Sequence, residues 1–257
     1  MKLKNKVLLS LGSVGAVAAA TVAVGFAKEV MAAKTVIPPY FSITAHTGCE
    51  GTKPNSLDSI TVGYVSGANI VEFDLSFDSD GVAVLSHDTP VGTEFTLDEA
   101  FSHLEQFSSL LINVDVKDTS DLAQVVSCAE KHGLKERIFF TGIFAEDVER
   151  VVADAPGIPF YLNVAVPAGK QNDSGYISTL IEEIKSLGAV GINFRYTSCS
   201  KLLTDMFHEQ GLLVSIWTVN NRFDMRKALS YGADNITTKK PATLLEFVAP
   251  ALSAQCE

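Results

Sequence analysis

The stretch IVEFDLSFDSDGVAVLSHD, from Ile70 to Asp88, sets Glu72, Asp74, His87 and Asp88 among apolar neighbours. Glu72 and Asp74 alternate with Val71, Phe73 and Leu75, so on a strand both carboxylates face one side. An unpaired carboxylate in a core costs several kcal/mol, so something cationic should meet them. Asn113, Asp115 and Lys117 repeat the alternation against Val114 and Val116. Two acids on one strand and a third on its neighbour make an all-oxygen site for one hard divalent ion, Mg2+ or Ca2+. Alone, E-x-D is common on exposed strands, and it is the D-x-K on the next strand that singles it out. Lys117 can also serve simply as the ion-pair partner of Asp115. His46 and His87 suit proton transfer near neutral pH, but each also reads as a satisfied core or metal-ligand histidine. Cys49 follows His46 by three residues, yet no base adjoins it in sequence, which favours a structural thiol or half of a disulfide. His103, His132 and His208 fall in helical or loop segments and take no role.

These residues need a frame. From Phe41 onward, β-rich runs alternate with amphipathic segments. The predicted strands are 41–46, 69–75, 110–116, 138–143, 159–166, 189–196, 212–219 and 235–238, with the short VAVLSHD run closing on His87 and Asp88. Helical patterns lie between them, at 56–66, 96–107, 120–133 and 174–188 among others. Gly67, Gly133, Gly188, Gly211 and Gly232 stand where helix C-caps precede the next strand. Thr96 and Ser120 are predicted N-caps, with Glu99 three residues after the first. Eight strands joined by crossovers imply parallel pairing and an α/β fold, a closed (β/α)8 TIM barrel. The alternative, an open doubly wound sheet, would lead one to expect a glycine-rich turn after an early strand, and no G-x-G-x-x-G occurs. In a barrel, active residues gather at the C-terminal strand ends. His46, Glu72, Asp74, His87, Asp115 and Lys117 are expected there, with Asn163, Arg195 and Trp217 at the ends of later strands.

Composition narrows the partners. With 257 residues, 47% hydrophobic and 19% charged, the chain suits one large globular domain. A net charge of −10 without a Lys/Arg stripe excludes a nucleic-acid partner. An acidic protein that handles an anionic substrate needs a local cation. At the N-terminus, Lys2, Lys4 and Lys6 precede an uncharged apolar run from Val7 to Phe26. This is the pattern of an export signal, with small residues at Ala32 and Ala33 for cleavage. Twenty helical residues span about 30 Å, so residues 1–33 read as a signal peptide or a membrane anchor, with membrane contact through residues 7–26. Residues 34–257 form the barrel domain, secreted or anchored on the extracellular side. Cys49, Cys128, Cys199 and Cys256 show neither C-x-x-C spacing nor a zinc pattern.

The order of motifs resembles the glycerophosphodiester phosphodiesterase family along nearly all of residues 41–248. The matching pieces are His46-Thr47-Gly48, Pro54-Asn55-Ser56, Glu72-Phe73-Asp74, Asp80-Gly81, Val84 to Asp88, Asp115-Val116-Lys117, Trp217 to Asn220, and Gly232 to Thr237. The resemblance implies a barrel enzyme that hydrolyses small-molecule or lipid phosphodiesters. It further implies His46 and His87 as the acid–base pair, Glu72, Asp74 and Asp115 on one divalent metal, and Lys117 on the phosphate. Asn163 and Trp217 are expected to touch substrate. Three departures stand out. Thr47 and Asn55 replace the family's usual arginine and glutamate, and Asp115 replaces a glutamate. Only seven residues separate Asp88 from Thr96, where the family commonly inserts a small covering subdomain. The acid pattern is also similar to sphingomyelinase D-like phospholipases, which often leave a cyclic phosphate. A barrel that keeps its metal but binds without turnover is the non-enzymatic alternative.

Overall fold

The computed structural model describes residues 37–253, without the side chains of 251–253. The targeting segment expected at 1–33 and Cys256 lie outside the described residues. Eight parallel strands close on themselves: β1 (Ser42–Ala45), β2 (Ile70–Phe77), β4 (Leu111–Val116), β5 (Ile138–Ile143), β6 (Phe160–Asn163), β7 (Gly191–Arg195), β8 (Leu213–Trp217) and β9 (Asn235–Thr238). β1 pairs with β2 on one side and β9 on the other, which completes the TIM barrel. The VAVLSHD run stays out of the barrel wall. Its core, β3 (Ala83–Leu85), turns back antiparallel onto β2, with Leu75 opposite Leu85 and Phe77 opposite Ala83.

The helices are α1 (Leu57–Val65), α2 (Leu97–Leu104), α3 (Leu122–Lys131), α4 (Val148–Asp154), α5 (Ser174–Leu187), α6 (Lys201–His208), α7 (Arg222–Tyr231) and α8 (Pro241–Ser253). No helix among the described residues is long and apolar enough to cross a membrane. Thr96 and Glu99 form the expected capping box at the start of α2. At α3 the cap is Asp121 instead of Ser120: its side chain accepts from Gln124 N, and a carboxylate is the stronger acceptor for orphan helix amides. The five glycines expected at helix ends all take positive φ.

Strand alternation then divides the side chains. Val71, Phe73, Leu75, Val114, Phe140 and Ile216 are buried among the helices. The alternate residues point down the barrel axis, where bulky branched side chains usually fill the space. Toward the mouth they are acids, amides and hydroxyls, with Ile70, Phe139 and Tyr161 on the same rows below them. Strand β6 also ends at Asn163, short of the expected Val166, because the chain beyond Val164 leaves its pairing with β7.

Candidate active site

Glu72 and Asp74 rise from β2 and Asp115 from β4, and the strand register sets Asp74 directly beside Asp115. The three residues each place a carboxylate oxygen within 4.8 Å of the others. Glu72 and Asp74 are buried. Burial, then the charges of Asp74 and Asp115, push the Glu72 carboxyl well above its ordinary value. Lys117 answers part of this charge, with Nζ 2.5 Å from Asp115 Oδ2 and 3.1 Å from Asp74 Oδ1. Burial works against the ammonium, but Asp115 and Asp74 outweigh it and raise its pKa above the usual lysine range. Three acids against one lysine leave a negative, oxygen-lined pocket, which fits a hard divalent cation.

The two positions that depart from the family pattern hold these acids in place. Thr47 N donates to Glu72 Oε2 at 2.7 Å. Asn55 grips Asp74 twice: Nδ2 donates to Oδ2 at 3.0 Å and Oδ1 accepts from the Asp74 amide at 3.0 Å. Thr47 Oγ1 in turn donates to Asn55 Oδ1 and accepts from Asn55 N. Asn55 has φ +52, a conformation that asparagine adopts more readily than most residues. Threonine and asparagine thus work as one bracket. On the far side of Asp115, Gly142 has φ +77, and a Cβ there would lie 2.3 Å from Val116 O and 2.9 Å from Asp115 Oδ1. Only glycine lets β5 approach the acid this closely.

The histidines differ in setting. His46 Nδ1 lies 2.9 Å from Thr47 O, an acceptor only, so Nδ1 carries the proton and Nε2 is left basic. Burial is the main cause that lowers its pKa, with Lys239 adding to it against the carbonyl and the acids. His87 sits beyond β3 with its side chain 65% exposed, and its Nδ1 is 3.0 Å from Asp88 Oδ1.

The opposite arc of the mouth is neutral. Asn163 Oδ1 accepts from Gly142 N and from Asn193 Nδ2, at 3.1 and 2.9 Å. Ser215 Oγ lies 2.9 Å from Asn193 Oδ1 and 3.1 Å from Asn235 Oδ1. Asn235 Nδ2 donates to Ser42 Oγ and Thr44 Oγ1. Above this network, Arg195 Cζ lies 5.5 Å from the centre of the Trp217 ring. Trp217 Nε1 is buried and finds no acceptor among the described residues.

The expected catalytic, metal and substrate residues, His46, His87, Glu72, Asp74, Asp115, Lys117, Asn163 and Trp217, all line one cavity of about 250 Å³, whereas Arg195 is not part of its lining. Sequence reasoning missed Thr141, Asn193 and Thr237, which line it too, and missed Thr47 and Asn55 as supports. The signal was present: N-x-R, S-x-W and N-x-T on the last three strands repeat the period of E-x-D. The three cysteines among the described residues, Cys49, Cys128 and Cys199, are free, and buried Cys49 contacts Ser59, not a histidine.

The fold is shared with solved structures of low sequence identity. A phosphodiesterase from Oleispira antarctica, solved with the product sn-glycerol-3-phosphate, superposes with a TM-score of 0.69 at 20% identity, over 83% of this chain and 97% of that one. A glycerophosphodiester phosphodiesterase from Parabacteroides distasonis gives 0.68 at 18% identity, over 85% and 99%. No functionally curated protein matches the sequence. The model of the glycerophosphoryl diester phosphodiesterase family matches residues 46–123 and 103–243, and with that span the chain belongs to this family of phosphoric diester hydrolases.

Proposed function

We propose that this enzyme hydrolyses glycerophosphodiesters or lysophospholipid-like diesters with His46 as base and His87 as acid, and that it depends on a divalent metal. The observation that carries the reading is the convergence of both histidines, all three acids and Lys117 on one cavity. Glu72, Asp74 and Asp115 would hold Mg2+ or Ca2+, which polarises phosphoryl oxygens and stabilises charge building on phosphorus. Lys117, released from one of its acids, supplies an ammonium to a phosphoryl oxygen. Water attacks phosphorus and its proton passes to His46 Nε2, the nitrogen left free by the Thr47 carbonyl. The bond to the leaving alkoxide breaks as His87 hands that oxygen a proton, leaving the alcohol and a phosphomonoester. Asp88 holds the other nitrogen of His87 and steadies the ring. From a glycerophosphodiester the expected product is sn-glycerol-3-phosphate, as seen in the Oleispira antarctica structure, and from a lysophospholipid its acylated counterpart.

A second reading rests on Thr47 and Asn55. Without a guanidinium at 47, nothing there clamps a phosphate bidentately, and an internal hydroxyl of the substrate can replace water to give a cyclic phosphate. Phosphorus NMR of products from glycerophosphocholine and lysophosphatidylcholine separates the two, since linear and cyclic phosphates resonate apart. Activity that survives EDTA, or that survives His46→Ala, rules out the mechanism, and tight binding with no product identifies a binding module. The short link after Asp88 leaves the mouth uncovered by an inserted subdomain, so we infer higher kcat/KM on the larger lipid diester. We also infer export through residues 1–33. Mass spectrometry of the N-terminus from expressing cells distinguishes a cleaved signal from a retained anchor.

A further inference from the structure

A second set of metal-ligating side chains lies on the outside of the barrel, between α2 and α3. Cys128 and His132 are four residues apart, so they share one face at the end of α3. Asp98, in the first turn of α2, faces both: its Oδ1 is 3.8 Å from Cys128 Sγ and 2.9 Å from His132 Nε2. One sulfur, one ring nitrogen and one carboxylate oxygen thus sit within 4.8 Å of one another. Tetrahedral zinc, with bonds of about 2.3 Å to sulfur and about 2.0 Å to nitrogen and oxygen, spaces its ligands about 3.3–3.5 Å apart. The two separations from Asp98, 2.9 and 3.8 Å, straddle that spacing, and the sulfur and the ring nitrogen lie within 4.8 Å of each other.

The orientation of His132 is the stronger argument. Its Nδ1 is 2.6 Å from Glu105 Oε1, so that nitrogen carries a proton. Its Nε2 then points at a second carboxylate, Asp98. A neutral ring would aim a lone pair at an anion there, so Nε2 must carry a further proton or a metal. A ligand histidine whose other nitrogen donates to a carboxylate is the usual arrangement around protein-bound metal. The side chain of His132 is 7% exposed, so the ring is fixed in this pose. Lys131 also contacts Asp98, but its side chain is 62% exposed and can swing into water when a metal takes its place. A cavity of about 310 Å³ opens beside the cluster, lined by Asp98, Cys128, Lys131 and Gln124 among others. It offers an entry path and room for a fourth ligand.

We propose that Asp98, Cys128 and His132 form a zinc site, with Glu105 orienting the histidine, that ties α2 to α3. The mixed sulfur, nitrogen and oxygen set selects zinc over the hard cations suited to the barrel mouth. The two sites can therefore be told apart by the metal's spectrum. Chelator-treated full-length chain is titrated with Co2+ as the probe. A thiolate-to-cobalt charge-transfer band should grow to saturation, whatever cobalt the mouth also takes up, and vanish when Zn2+ is added. The all-oxygen acids at the mouth cannot produce a sulfur band. Cys128→Ser should abolish it with circular dichroism unchanged. Glu105→Gln alters only a surface side chain and should weaken Co2+ binding about 10–100-fold. No sulfur band in the wild type, a band that persists in Cys128→Ser, or an unchanged affinity in Glu105→Gln overturns the proposal. If Cys128→Ser does not fold, the Glu105→Gln titration decides.

Discussion

Two arcs face each other across the barrel mouth. Along β1, β2 and β4 stand His46, Glu72, Asp74, Asp115 and Lys117, ionisable groups packed within a strand spacing or two of one another. Along β6 to β9 the equivalent positions hold Asn163, Asn193, Ser215, Asn235 and Thr237, cross-linked by hydrogen bonds below the rim. Both arcs obey the same alternation, yet their energetics differ. The neutral arc satisfies its amides and hydroxyls locally, with Trp217 Nε1 the exception, and desolvates no ion. The charged arc buries Glu72 and Asp74 with a half-buried Asp115 beside them, and compensates only part of that cost with one lysine. Groups held at such a cost are suited to chemistry, and the inexpensive arc to shape and recognition.

That division can be broken most decisively by removing charge. Glu72→Gln, or treatment with EDTA, should lower kcat by at least about 10³-fold, and His46→Ala by about 10²–10⁴-fold. Steady-state kinetics on glycerophosphocholine check both. Equal losses from Asn193→Ser would erase the distinction between the arcs. Next in size is Asn55→Ala, which frees Asp74 from two hydrogen bonds. It should weaken activating-metal affinity about 10–100-fold while kcat at saturating metal changes less. Gly142→Ala probes the seam between the arcs: positive φ and the clash with Val116 O should cost about 2–5 kcal/mol in chemical denaturation. Trp217→Ala belongs to the recognition arc and should raise KM, by about 10-fold or less, with kcat nearly kept. The smallest expected effect is in pH. Burial lowers the His46 pKa, so its neutral, basic form persists below pH 6.5. The acid limb of kcat/KM should therefore fall at a pH below 6.5, and a midpoint above that value contradicts the assignment of His46 as the buried base.

The barrel was legible because its signals are local and repeated: β-rich runs at even spacing, glycines at helix ends, Thr96 with Glu99. The charged arc was legible because acids between Val71, Phe73 and Leu75 are anomalous. The neutral arc was harder to see. An asparagine in a strand, such as Asn193, looks unremarkable until strands distant in sequence bring it to Asn163 and Ser215. The bracket of Thr47 and Asn55 was hidden for a similar reason. It depends on a left-handed turn at Asn55 that reaches Asp74 nineteen residues later. Resemblance registered both residues as departures, while their contacts show them to be supports.

The hydrogen-bonded interior has a thermal consequence as well. Exposing apolar surface on unfolding raises the heat capacity, whereas exposing polar surface lowers it. Thr44, Asn113, Thr141, Asn193, Ser215 and Asn235 occupy buried positions, where other barrels place valine, leucine and isoleucine. Melting this barrel therefore wets amides and hydroxyls along with the aliphatic shell under the helices. Its unfolding heat capacity should fall below that of an aliphatic-filled barrel of equal length, which flattens the stability curve. Folding free energy then varies gently over a broad span of temperatures, and cold weakens this molecule less than it weakens a barrel held together by grease alone.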